Sequence, residues 1–172
     1  AQIEAALERV RSRSMAMHKS EEFPQVIQVV FEQLRQLNFN IDSAQFDVSF
    51  RETDDLNLWT AAPGQPYPTK LHIPYADYEV FNSIKKAKKA GHAFVSIQLT
   101  KEEKNDLFNY FFLHAPNIPE ERKKFLLSSP GVVRSAVLLE KVSLAIQNYS
   151  GIPYSDAEHN ILRFSGGHTR SR

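Results

Sequence analysis

The stretch Val132-Val-Arg-Ser-Ala-Val-Leu-Leu139, then Glu140-Lys141, then Val142-Ser-Leu-Ala-Ile-Gln-Asn-Tyr149 decides the class of fold. Two apolar-rich segments are joined there by a short charged turn, which is the pattern of a β-hairpin. A Pro-Gly pair at residues 130–131 marks another turn just before the first segment. The stretch therefore predicts two antiparallel strands late in the chain.

Earlier parts of the chain add further strand patterns. Around Phe46 and Phe50, apolar residues alternate with polar ones, which is the two-residue period of a half-buried strand. A polar turn follows, and the segment after it, which contains Trp59, is interpreted as the hairpin partner. Besides the late hairpin, the predicted strands are residues 41–50, 57–62, 70–73 and 93–99.

Helices are predicted between these strands. Capping-box patterns, in which a Ser, Thr or Asn precedes a Glu by three residues, occur at Thr100, Asn117 and Ser155. Apolar residues at helical spacing also predict helices over residues 20–37 and 80–90. Hairpin-linked strands with inserted helices indicate an α+β domain, an antiparallel sheet of about five to six strands flanked by helices.

The first residues carry a narrow apolar stripe. Its spacings of 4, 3, 4 and 3 residues are those of heptad a and d positions. Such a stripe suits a two-helix seam, so we expect a homodimer through the N-terminal helix. An ordinary amphipathic helix packed on its own domain is the alternative. The stripe, and hence the predicted dimer interface, consists of Ile3, Leu7, Val10, Ser14 and Met17.

Composition excludes several classes of function. The 172 residues include no cysteine, which excludes disulfide scaffolds, cysteine-ligated zinc and thiol redox chemistry, and favours a cytoplasmic protein. A net charge of +1 gives no reason to expect a nucleic-acid partner, and no apolar run suggests a membrane span. Glycine-rich phosphate loops and metal-site motifs are also absent from the sequence. No catalytic residue and no metal site is predicted, and the cofactor is unknown.

Aromatic and histidine residues supply the candidate pocket. His72 lies in a short predicted strand, and His114 ends a helix rich in Phe and Tyr. Structural roles are the commoner explanation for a lone histidine or for a single tryptophan. Positions that the patterns turn inward give the predicted ligand-binding set of Phe50, Trp59, His72, Tyr110 and His114.

Several segments also resemble a known family. They are Ala6-Leu-Glu-Arg-Val-Arg-Ser-Arg-Ser-Met-Ala-Met17, His18-Lys-Ser-Glu-Glu-Phe23, Val29-Val-Phe-Glu-Gln-Leu-Arg-Gln-Leu37 and Tyr154-Ser-Asp-Ala-Glu-His-Asn-Ile-Leu-Arg-Phe164. These stretches resemble GAF-like sensor domains of bacterial two-component sensor histidine kinases. The resemblance implies a GAF/PAS-like fold with N-terminal signalling helices, and supplies no binding residues.

From the resemblance we expect a regulatory sensor domain that binds an unknown small ligand, dimerises, or does both. A kinase or other output module would be covalently attached to it. The expected divisions are N-terminal helices at 1–37, a sensor domain at 38–164 and a disordered tail at 165–172 that need not be native sequence. Two alternatives stay open, namely a small-molecule enzyme with His72 or His114 as its base, and a protein-interaction module without a ligand.

Overall fold

A computed structural model describes residues 22–65 and 67–165, with side chains described as far as residue 163. The predicted heptad stripe and residues 166–172 lie outside this part. Within it, the helices are α1 (Phe23–Gln36), α2 (Glu79–Ala90), α3 (Lys101–Leu113), α4 (Glu120–Ser128) and α5 (Asp156–Ser165). The strands are β1 (Ser43–Asp47), β2 (Leu56–Ala61), β3 (Thr69–Ile73), β4 (Phe94–Thr100), β5 (Gly131–Leu138) and β6 (Ser143–Asn148).

The strands form one antiparallel sheet in the order β3-β2-β1-β6-β5-β4. The predicted late hairpin is β5–β6, in which Leu138 pairs with Ser143 and Val133 with Asn148. Strand β1 joins this hairpin by pairing with β6, so that Phe46 lies opposite Leu144. The hairpin and β1 therefore occupy the middle of the sheet, where each strand has neighbours on both sides.

Helices cover both faces of the sheet. α1 and α5 pack on one face, where Phe46, Leu144 and Ile146 meet Ile27 of α1 and Leu162 of α5 in one apolar core. α2, α3 and α4 pack on the opposite face in a second core. The predicted α+β class is confirmed, and the six-stranded antiparallel sheet with five flanking helices is consistent with a GAF/PAS-like fold.

Two of the three predicted capping boxes are formed. The Glu103 backbone N–H donates to Thr100 Oγ1 at 3.2 Å, and the Thr100 N–H donates to Glu103 Oε1 at 2.9 Å. Ser155 and Glu158 make the same reciprocal pair at 3.1 and 2.8 Å. Each pair satisfies N–H groups that the first helical turn leaves without partners, and so fixes where α3 and α5 begin.

The third capping box is not formed. α4 begins only at Glu120, and its N-cap is Pro119, without a side-chain hydrogen bond. Proline fixes its own backbone angle and disfavours helical geometry in the residue before it, so Ile118 is kept out of the helix. The segment between α3 and α4 is therefore longer than predicted, and it contributes to the candidate site.

The predicted strand over residues 41–50 is shorter than expected. β1 ends at Asp47, whose Oδ1 accepts from the backbone N–H groups of Ser49 at 3.5 Å and Asn57 at 3.3 Å. Phe50 consequently lies in a turn, and it packs in the core of the face opposite to Phe46. Two-residue alternation does not extend through a turn, which is why Phe46 and Phe50 lie on opposite faces of the sheet.

None of the five helices in residues 22–165 combines the length and the apolar character that a bilayer crossing requires.

Candidate functional site

The three central strands carry polar side chains on the face that α2, α3 and α4 cover. Pairing brings these side chains together, because Gln147 lies opposite both Ser43 and Arg134, and Asp47 lies opposite Ser143. All of them are buried. We call this group the polar floor; it comprises Ser43, Gln45 and Asp47 of β1, Arg134 of β5, and Ser143 and Gln147 of β6.

A cavity of about 330 Å³ lies between the polar floor and the segment that joins α3 to α4. Gln45 and Gln147 form its base, and aromatic side chains of α3 form one wall. Exposed residues of β3 and of the α3–α4 segment form its rim. A volume of this size lies near the lower end of the range for small-molecule sites, about 300–1,000 Å³. The aromatic wall consists of Phe108, Phe111 and Phe112.

Specific bonds hold the helices above the polar floor. Tyr110 of α3 donates its hydroxyl to the carbonyl oxygen of Pro74 at 2.7 Å, which ties α3 to the end of β3. Lys104, buried in α3, donates Nζ to the carbonyl oxygen of Leu126, which ties α3 to α4. Burial lowers the pKa of Lys104 below its ordinary value. α3, whose aromatic side chains form one wall of the cavity, is therefore held both to the end of β3 and to α4.

Arg134 is the cation of the polar floor. Only 6% of this residue is exposed, and its Nε donates to Gln45 Oε1 at 3.2 Å. Its Nη2 is buried without a hydrogen-bond partner, and no carboxylate of the described residues forms an ion pair with it. Burial lowers the pKa of Arg134 to about 10, against the opposing effect of the Asp47 charge, so the side chain stays protonated at neutral pH.

Asp47 is the buried acid of the same face. Burial raises the pKa of its carboxyl to about 6, against the lowering effects of the Arg134 charge and of the N–H groups on Oδ1. Its second oxygen, Oδ2, is buried without a partner. Unpaired polar atoms in the interior cost free energy, and they are concentrated at functional sites. The polar floor is therefore the candidate binding surface.

The predicted ligand-binding residues are dispersed in the structure. His114 lines the rim of the cavity. Phe50 is buried in the core beneath α2, and Tyr110 anchors α3 as described above. Trp59 packs against the core of the opposite face, and His72 is exposed beside Asp55. The structure thus brings one of the five predicted residues, His114, to the cavity.

Sequence reasoning missed the polar floor. Arg134 and Gln147 stand within the two apolar segments of the late hairpin, at positions whose neighbours two residues away are buried. A charged or amide side chain at an inward position of a central strand was the available signal.

Neither candidate catalytic histidine combines a cavity with an orienting carboxylate. His72 has the carboxylate, since its Nε2 lies 2.9 Å from Asp55 Oδ2, but more than half of its side chain is exposed and it lines none of the cavities found among the described residues. His114 lines the cavity but has no carboxylate partner in the described part of the chain.

Comparison with known proteins does not identify a family for this chain. No protein-family model and no curated protein sequence matches the chain. Among residues 22–65 and 67–165, no group of three or more His, Asp or Glu side chains is placed to hold a metal ion. The chemistry available at the cavity is therefore that of polar and cationic side chains beside an aromatic wall.

The substitution Asp47→Asn tests the burial of this carboxyl. The pKa of Asp47 is about 6 in the folded protein and 3.8 in the unfolded chain, so the folded state takes up the proton first as the pH falls. As the pH falls from about 8 to about 4.5, the free energy of unfolding of the wild type should therefore increase by about 2 kcal/mol relative to that of the variant. Urea denaturation of both proteins at a series of pH values measures this difference.

Asp106→Asn makes the same change at an exposed position of α3 and is the control. A difference between wild type and Asp47→Asn that stays constant over this pH range would contradict the burial of the Asp47 carboxyl.

Proposed function

We propose that this chain is a GAF-like sensor domain of a bacterial signal-transduction protein of the sensor-kinase type, and that it binds a small organic ligand in the cavity above the polar floor. One observation carries the proposal, namely an unfilled cavity of about 330 Å³ whose base, Gln45 and Gln147, belongs to a buried polar surface that also contains the incompletely paired Arg134. A core that served only stability would be expected to fill this space with apolar side chains.

The position of β5 supports a sensing role. Arg134 faces the cavity side of the sheet, while its neighbour Ser135 lies on the other face. There the Ser135 hydroxyl lies 3.2 Å from Nε2 of His159 in α5, and Phe94 packs edge-on against the same ring at 4.9 Å. A ligand that shifted β5 would therefore act directly on α5, the last helix of the described chain.

The presence of the cavity also helps to choose between ligand binding and the two alternative functions, a ligand-free interaction module and an enzyme. A ligand-free interaction module has no need of a cavity, so its presence favours ligand binding. An enzyme with a histidine base has less support, because the histidine with a carboxylate partner and the histidine at the cavity are different residues.

Signal output is part of the same proposal. The chain would dimerise through the stripe Ile3–Met17 and would be joined covalently to a kinase or other output module in the cytoplasm. The basis is the heptad spacing and the resemblance of residues 6–37, since the stripe lies outside the described residues. A ligand would then favour one of two packings of the helical interface.

Filling the cavity should abolish ligand binding. Ala115 is buried and lines the cavity, so Ala115→Phe places a ring in the space that a ligand would occupy. We expect compounds identified by thermal-shift screening of a metabolite library to stabilise wild type by about 2.7 kcal/mol at about one hundred times their Kd. The same compounds should leave Ala115→Phe unchanged.

Ala90→Phe, the same substitution at an exposed position of α2, is the matched control and should keep the full shift. Ligands that stabilise Ala115→Phe as much as wild type would place binding elsewhere. A screen without any ligand, together with a purified chain of unmodified mass in native mass spectrometry, would oppose the sensor function.

The proposed dimer is tested separately. Replacing Leu7 and Val10 together by Glu puts like charges into the seam, so we expect the dimer mass in light-scattering chromatography to fall to that of a monomer. The control, Arg9→Glu with Ser12→Glu, changes residues outside the stripe and should leave the dimer intact. A Leu7/Val10 variant that remains dimeric would refute this seam.

A further inference from the structure

A small second compartment beside Arg134 adjoins the cavity. This compartment, which we call the deep end, has a volume of about 20 Å³ and is lined by Arg134 among others. It adjoins the main cavity, because five side chains line both. A volume of this size holds one water-sized group. The shared residues are Gln45, Leu58, Phe108, Phe111 and Gln147.

The N–H groups of Arg134 that lack a hydrogen-bond partner define which ligand group would fit the deep end. Nε is already engaged by Gln45 Oε1, and Nη2 is buried without a partner. A guanidinium has its donors in a planar fork that matches the oxygens of a carboxylate or a phosphate. An anionic oxygen in the deep end would therefore complete the hydrogen bonding of Arg134 and neutralise its charge.

The charge of the surrounding walls agrees with an anionic ligand. No Asp or Glu is among the described residues that line the main cavity or the deep end. Cationic side chains do line them, since Lys70 and Arg122 lie at the main cavity and Arg134 at the deep end. Asp47 belongs to the polar floor but lines neither space.

The rest of the lining is largely apolar and aromatic. Leu58, Phe108 and Phe111 line both the deep end and the main cavity, and Phe112 adds a third aromatic ring to the latter. Such walls desolvate an apolar body, and a dry surrounding strengthens a charge-assisted hydrogen bond at its end. The arrangement suits a molecule with one charged end and an apolar remainder.

We propose that the ligand of this cavity is a small apolar or aromatic molecule with one anionic group, a carboxylate or a phosphate, of which one oxygen enters the deep end and accepts hydrogen bonds from Nη2 of Arg134. This inference rests on the proposed function, because it requires that the cavity binds a small molecule. It adds the chemical class of that molecule and the residue that selects it.

Matched probes test the class. The probes are 3-phenylpropanoate, phenyl phosphate and the neutral 3-phenylpropanamide, each titrated at millimolar concentration into the full chain. Binding is followed by isothermal titration calorimetry and by the ¹⁵N–¹H resonance of Arg134 Nε. We expect at least one anion to bind about tenfold or more tightly than the amide, because charge-assisted hydrogen bonds exceed neutral ones by about this factor. The Arg134 resonance should shift with that anion.

Two variants localise the effect. Arg134→Met should remove the preference for the anion, while Arg35→Met, the same change at an exposed position of α1 on the other face of the sheet, should keep it. Circular dichroism checks that both variants fold. Should Arg134→Met not fold, the Arg134 resonance of wild type still reports the contact.

The anion that binds more tightly distinguishes a carboxylate from a phosphate ligand. Equal affinity of the acids and the amide would overturn this inference while leaving the cavity a ligand site. A preference for the anion that persists in a folded Arg134→Met variant would also overturn it. Failure of all three probes would overturn the anionic class, whereas the proposed function fails only if the library screen with Ala115→Phe fails too.

Discussion

The burial of the Arg134 guanidinium is the constraint on which the rest of the site depends. Transferring a charged side chain into the interior is costly unless hydrogen bonds and a counter-charge compensate for it. Here one hydrogen bond to Gln45 is made, Nη2 has no partner, and Asp47 acts only through its charge at a distance. Burial of the Asp47 carboxyl itself raises its pKa to about 6, although the Arg134 charge opposes this shift. The central strands thus carry a polar surface that the protein alone does not satisfy.

The surrounding architecture keeps this surface buried without filling the space above it. α3 is held at one end by the bond from Tyr110 to the Pro74 carbonyl and to α4 by Lys104. The α3–α4 segment lines the cavity, and Pro119 delays the start of α4. On the other face, α1 and α5 pack on a largely apolar core around Phe46. We propose that the face with the polar floor binds the ligand, while the other face stabilises the fold.

Local signals were sufficient to predict most of the fold, but little of the site. The β5–β6 hairpin and the helix starts at Thr100 and Ser155 depend on neighbouring residues, so periodicity and capping patterns revealed them. The polar floor depends on register, since Arg134 and Gln147 become neighbours only after β5 pairs with β6. The alternation of apolar and polar residues predicted that the first strand extends to Phe50. This pattern contains no sign that the Asp47 carboxylate ends the strand. His72 and Trp59 were predicted as ligand-binding residues because of their residue types, whereas the residues at the base of the cavity are determined by their positions in the sheet.

A high-resolution crystal structure of the purified protein tests the central claim most directly, because it shows what satisfies Arg134. The account predicts an open cavity, with non-protein density in the deep end within hydrogen-bond distance of an Nη atom. An ion pair between Arg134 and Asp47, with Phe108 and Phe111 filling the space above the polar floor, would contradict it.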